Sequence, residues 1–247
     1  MTTLVGSVRG WTKAATMATS TSRRNMNVAK TNSQLYSSSS SSVGWWGVVD
    51  KTLLSDFEPN DTPFVALGDG YFALDRDGEP YWQGNLPRGF INKFWGRQRH
   101  LPRAEFAAFG PDAEQYFVQF SDGHQQWGGA SDDFTKALRK SDSTVKTLAF
   151  APDGGYYILF KDGDWEFFNL PLKLYHQLNG RQKSLPGVEH LTIGPNGEWF
   201  VRFEDGSWRC HGQSESCGKT IDELHAEGEN IEHIAFGHDS TWLITYS

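Results

Sequence analysis

The stretch HLTIGPNGEWFVRFEDGSW, residues 190–208, decides the fold. It opens with a short apolar strand closing on glycine (HLTIG, 190–194) and passes through Pro195-Asn196-Gly197 into a second strand, WFVRF (199–203). Asp205-Gly206 follows, and Trp208 begins a third strand. Asp-Gly between two strand-like runs is a strong hairpin signal, read here as a type I′ turn with positive φ at both central residues. Residues 147–165, TLAFAPDGGYYILFKDGDW, match the stretch position for position.

Working outward, the first strand recurs as FVALG (64–68), FAAFG (106–110), TLAFA (147–151), HLTIG and HIAFG (233–237). Their last residues, Gly68, Gly110, Ala151, Gly194 and Gly237, are 42, 41, 43 and 43 residues apart. A fixed period of this size is the signature of a propeller or a solenoid. The second strands begin at Tyr71, Tyr116, Tyr156, Trp199 and Trp242, and Asp-Gly pairs follow at 77, 122, 162 and 205. The third strands carry aromatic residues on alternate positions: Trp82, Trp127, Trp165 with Phe167, and Trp208. Short runs with helical spacing come next, marked by Phe90 and Phe94, Phe134 and Leu138, and Leu174 and Leu178. Two of them lead into closely similar connectors, GRQRHLPRAEF (96–106) and GRQKSLPGVEHL (180–191).

The ends complement each other. The last copy stops at Tyr246-Ser247, before a hairpin and third strand, whereas VGWWG (43–47) supplies a third strand with Trp45 on the aromatic position. Leu53, Leu54 and Phe57 then furnish its helical run. A ring closed in this way leaves no open end. Small residues two places before each closing Gly or Ala (Ala66, Ala108, Ala149, Thr192 and Ala235) suit five strands converging on an axis. A linear stack needs no such rule and needs distinct caps. The expected fold is therefore all-β: a five-bladed β-propeller of ~42-residue repeats, closed by an N-terminal strand, with short helical connectors between blades.

An apolar strand followed by G-P-[DN]-G, an aromatic-rich strand and an Asp-Gly hairpin resembles, in layout, the five-bladed tachylectin-2-type lectins and, more loosely, WD40-like propellers. The resemblance covers about residues 43–247. It implies a binding fold, and no sugar-contacting residue is carried over from it.

Composition agrees with β-structure: aromatics are 14% of the chain, with ten Trp and seventeen Phe, and broad rings pack well on a pleated surface. Residues 1–42 are rich in Ser, Thr, Asn and Ala and end in six serines. We expect a disordered basic tail there, because such composition buries too little apolar surface to offset ordering. The other reading is an organellar transit peptide. On a helical wheel Leu4, Val8, Trp11, Ala15 and Ala18 share a face opposite Arg9 and Lys13. The expected location is accordingly intracellular: cytoplasmic, or mitochondrial or plastid if the tail is a transit peptide. Residues 43–247 form the propeller domain. No acidic residue precedes Asp50, so the net charge of −7 leaves −12 on residues 50–247. That acidity argues against broad nucleic-acid binding, and no apolar run approaches membrane-spanning length.

No nucleophile elbow, phosphate loop or HExxH motif is present. His190 and His233 hold equivalent places in the repeat and read as repeat features rather than a metal pair. Cys210, His211, Cys217 and His225 lack the spacing of a structural zinc site. The Asp-Gly aspartates read as turn residues rather than as calcium ligands or catalytic acids. The chain is therefore expected to be a non-enzymatic binding module without cofactor or metal, working as a monomer. Its partner is expected to be a protein or peptide bound on an interaction platform. The alternative is a multivalent carbohydrate-binding lectin, with an enzyme using the central channel behind both. The divergence between connectors ASDDFTKALRKSDSTVK (130–146) and HGQSESCGKTIDELHAEGEN (211–230) favours the platform. Candidate ligand-binding residues are Trp82, Trp127, Trp165 and Trp208, with Arg97 and Arg181 in the repeated connectors.

Overall fold

A computed structural model describes residues 6–7, 44–48, 64–75, 77–95, 101–179 and 185–247, with Gly47 the one residue of 44–48 whose burial it describes. The N-terminal tail beyond Gly6–Ser7, the Leu53–Phe57 run, Arg97 and Arg181 lie outside the described residues.

The chain folds as repeated antiparallel sheets of three strands, the layout of a β-propeller. In chain order the strands are β1 (Gly6–Ser7), β2 (Gly44–Val48), β3 (Phe64–Gly68), β4 (Gly70–Leu74), β5 (Pro80–Gly84), β6 (Ala104–Phe109), β7 (Tyr116–Phe120) and β8 (Gln125–Gly128). They continue with β9 (Val145–Phe150), β10 (Tyr156–Phe160), β11 (Trp165–Phe168), β12 (Val188–Ile193), β13 (Trp199–Phe203), β14 (Trp208–His211), β15 (Ile231–Phe236) and β16 (Trp242–Tyr246). The described sheets are β3-β4-β5 with β1 on its outer edge, β6-β7-β8, β9-β10-β11, β12-β13-β14 and β15-β16-β2. In the last of these, β2 pairs antiparallel with β16, Trp45 opposite Thr245 and Gly47 opposite Leu243. A Cβ on Gly47 would stand 2.5 Å from the Trp242 carbonyl oxygen, so glycine is what lets this strand lie close.

The first strands β3, β6, β9, β12 and β15 neighbour one another in cyclic order, β15 returning to β3. Phenylalanine fills the layers between sheets: Phe72, Phe117 and Phe200 are fully buried at equivalent places in the second strands. Short helices cap these layers, namely α1 (Arg88–Phe94), α2 (Asp132–Leu138) and α3 (Leu172–Leu178). Each buries the aromatic or leucine pair that marked it in the sequence: Phe90 and Phe94, Phe134 and Leu138, Leu174 and Leu178. A longer helix, α4 (Glu215–Glu227), lies in the divergent connector 211–230, where short helical connectors were expected. Ser214 caps it, accepting from Cys217 N–H, and Gly228 ends it at φ 83°. Its mostly polar sequence masked it, yet Cys217, Thr220, Ile221 and Leu224 form a buried i, i+3, i+4, i+7 stripe.

The Asp-Gly hairpins exist, but their turn differs from the type I′ expectation. Only the glycines, Gly78, Gly123, Gly163 and Gly206, take positive φ. Gly163 N–H donates to Phe160 carbonyl at 3.0 Å and Phe160 N–H to Asp164 carbonyl at 2.8 Å. This is a type I turn closed by a left-handed glycine bulge, a three-residue loop. The aspartate stays at negative φ because its carboxylate then accepts a backbone N–H two residues on. Asp122, Asp162 and Asp205 do so from His124, Asp164 and Ser207 at 3.0, 3.1 and 3.0 Å.

Candidate functional site

Where the first strands converge they line a half-open cavity of about 50 Å³. Its walls come from the repeat itself: Ala66, Ala108, Ala149, Thr192 and Ala235 on one level, and Phe64, Phe106, His190 and His233 on another. The local backbone explains the second level. Register shifts fall just before Phe106, His190 and His233, so Glu105, Glu189 and Glu232 are extra residues in their strands. Such bulges re-aim the next side chain. Charged residues are thus shed from the strand and aromatic or imidazole rings are turned onto the cavity.

The His190 and His233 rings stand 4.2 Å apart, edge to face. His190 Nε2 and His233 Nδ1 are sealed within the protein without a hydrogen-bond partner. Burial, reinforced by the Arg202 guanidinium, pushes the His190 imidazole down to about 4. Burial and the neighbouring His190 hold His233 well below the ordinary imidazole range. At neutral pH the pair is therefore uncharged. Around it, Arg202 pairs with Glu189 (3.2 Å) and with Glu232, and Lys146 pairs with Glu204 (2.7 Å).

Polar ties run from three of the sheets to the first strand of the next. Gln119 exchanges hydrogen bonds with Val145 backbone at 2.9 and 3.2 Å. Thr147 does the same with Leu191 at 3.4 and 3.5 Å, and Thr192 Oγ1 donates to Ile234 carbonyl at 2.5 Å. They hold the cavity wall in register.

The structure separates the four candidate tryptophans. Trp82 and Trp127 pair with Phe72 and Phe117, which each follow the Tyr that opens the repeated second-strand motif. Trp165 and Trp208 pair with the fourth residue of their middle strands, Leu159 and Arg202. Phe167 and Cys210 hold the places equivalent to Trp82 and Trp127. Trp82 is buried against Phe94. Trp127 is partly buried and donates from Nε1 to Thr135 Oγ1 at 3.1 Å. Trp208 packs beside Phe200. Trp165 alone among them is largely open, at 42% exposure. It stacks on Phe167 at 5.2 Å and 14°, and Phe167 continues to Tyr175. Phe168 at the other end of β11 and Leu172 at the start of α3 are also exposed. β11 is the outer strand of its sheet. Sequence reasoning missed Phe168 and Leu172, although β11, WEFF (165–168), carries three large apolar residues where a half-covered strand needs two.

Cys210 and Cys217 are free thiols. Burial pushes the Cys217 thiol up to about 12 and raises that of Cys210. Neither is an activated nucleophile, since the reactive form is the thiolate. Among the described residues no three His, Cys, Asp or Glu side chains gather as a metal site, and no helix is long and apolar enough to cross a membrane.

No family model matches the chain, and no curated protein does. Among solved structures it is similar to YCF48 bound to D1 peptide, at 10% identity and a TM-score of 0.29, over 73% of this chain and 59% of that one. It is also similar to selenomethionine-substituted virginiamycin B lyase from Staphylococcus aureus, at 9% identity and a TM-score of 0.24, over 76% of this chain and 64% of that one. The chain thus spans less than two thirds of either structure's length. At these values neither likeness carries an argument about ligand or activity.

Proposed function

We propose that the chain is a five-bladed β-propeller, closed by β2 in the last blade, that acts as a protein-interaction platform. The observation that carries this reading is the exposed apolar set on β11 and α3: Trp165, Phe168 and Leu172, at 42, 50 and 70% exposure. Large apolar side chains left open at both ends of an edge strand and at the start of the helix after it offer a partner an apolar surface. The strand edge adds unpaired backbone groups that an extended peptide can use. Asp162, Asp164 and Glu166 flank Trp165 and the body is acidic, so the partner is an apolar or aromatic segment bordered by basic residues.

The carbohydrate alternative draws on the flat Trp165–Phe167 stack. A multivalent lectin needs like pockets in each blade, whereas the equivalent third-strand places hold Trp82, Trp127, Phe167, Cys210 and Gly47. The test compares the full chain with a Trp165→Ala, Phe168→Ser, Leu172→Ser triple variant in affinity capture and on a glycan array. A protein partner lost with the variant, at unchanged melting temperature and with a blank array, supports the platform. Sugar binding abolished by the same variant moves the assignment to a lectin.

A further inference from the structure

The cavity at the convergence of the first strands is mostly apolar, yet its polar groups are unequally placed. Neither His190 nor His233 has a hydrogen bond to a described residue, and their sealed nitrogens are Nε2 and Nδ1 respectively. His190 Nδ1 and His233 Nε2 are the ring nitrogens not sealed in this way, and are the ones left to serve the cavity. In a neutral imidazole one nitrogen carries hydrogen and the other does not. A buried orphan N–H is rarer than an under-satisfied acceptor, so the hydrogens belong on these two nitrogens and both rings present donors to the cavity. Thr192 also lines the cavity, and its hydroxyl hydrogen is spent on the Ile234 carbonyl, so its oxygen is left as an acceptor.

The occupant must supply an oxygen acceptor for the imidazoles and an N–H donor for Thr192. The space suits a small group: a water needs roughly 10–15 Å³ of it, so about 50 Å³ takes roughly four heavy atoms. The occupant must be neutral as well, because the surrounding charges already neutralise or oppose an anion: Arg202 is held by two carboxylates and Lys146 by a third. We propose that this cavity binds a primary carboxamide, its oxygen accepting from His190 and His233 and its nitrogen donating to Thr192, with Phe64 and Phe106 packing on its apolar side. The site does not depend on the β11 surface or on a protein partner.

The repeat supplies the test variants. Phenylalanine stands at the His190 and His233 position in β3 and β6, and alanine at the Thr192 position in the other four first strands. Acetamide is titrated into the full chain at pH 7.5 while histidine ring resonances are followed by NMR, with acetate and acetone as comparators. Saturable shifts of both rings with acetamide are expected, with a millimolar dissociation constant as befits four heavy atoms, and acetate at least about tenfold weaker. His233→Phe should weaken acetamide at least about tenfold, the worth of a lost hydrogen bond. Thr192→Ala should bring acetamide and acetone to equal affinity, because acetone has no N–H to lose. Melting curves establish that each variant folds, and Thr192→Ala decides alone if His233→Phe does not. Absence of saturable shifts, acetate binding as well as acetamide, or an unchanged acetamide preference in Thr192→Ala overturns the proposal.

Discussion

Gly155 lies against Ala151 so closely that a Cβ on Gly155 would stand 2.9 Å from the Ala151 Cβ and run into the Asn169 carbonyl. The same turn in two other sheets solves the crowding the other way. There the strand-closing residue is the glycine, Gly110 or Gly194, and the side chain of Gln115 or Glu198 lies over it. One Cβ can be accommodated between these two positions, not two. Gly155→Ala should therefore cost about 1–3 kcal/mol, as overpacking against backbone does. Gly110→Ala should cost less, because the obstacle is the movable Gln115 side chain. Urea unfolding of both variants checks the order, and equal midpoints would refute this account.

The tryptophans should divide by register. Trp82→Ala should lose about 3–5 kcal/mol, the usual cost of emptying an aromatic site, because Trp82 is 3% exposed within a core of Phe72, Phe90 and Phe94. Trp165→Ala should change stability little, being open on one side. Trp208→Ala should cost stability and leave affinity for a partner intact, as its ring packs on Phe200. Thermal melts beside capture assays separate the three.

Acid should weaken the fold through His190. Its unfolded imidazole protonates near the ordinary 6.5, the folded one only near 4. Between those values the unfolded chain binds more protons, so stability present above pH 6.5 falls as pH drops towards 4 and then levels off. The full loss is about 3 kcal/mol, with His233 acting in the same direction. Arg202 adds to it. Glu204, held down by Lys146, loses its contribution only as pH falls below the ordinary carboxylate value of 4.5. Melting temperatures from pH 7.5 to 4.5 should fall for the native chain and fall less for His190→Phe.

Removing residues 1–40 takes away only the two-residue β1 at the edge of β5 and should lower the melting temperature little, whereas removal through Gly47 should lower it more, because β16 then loses its partner strand. Equal melting of the two truncations would contradict closure of the ring by β2.

Much of this fold is written locally. The ~42-residue period, the Asp-Gly hairpins and the Phe90–Phe94, Phe134–Leu138 and Leu174–Leu178 pairs each report on neighbours in the chain, and each found its element. The turn type was misread because Asp-Gly serves both a two-residue and a three-residue loop, and the difference lies in a carboxylate–backbone hydrogen bond. α4 was not singled out because its stripe of Cys217, Thr220, Ile221 and Leu224 sits in a mostly polar segment.

The sequence by itself determined the repeat, the order of strands and the small residues of the converging strands, since these follow from period, turn chemistry and side-chain size. Only the tertiary structure decided which rings meet. His190 and His233 are 43 residues apart in the chain and 4.2 Å apart in space. Trp82 and Trp165 look alike in their strands, yet one is sealed and the other open. Burial and pairing of that kind depend on how sheets are turned against one another, and a repeat cannot express it from within one copy.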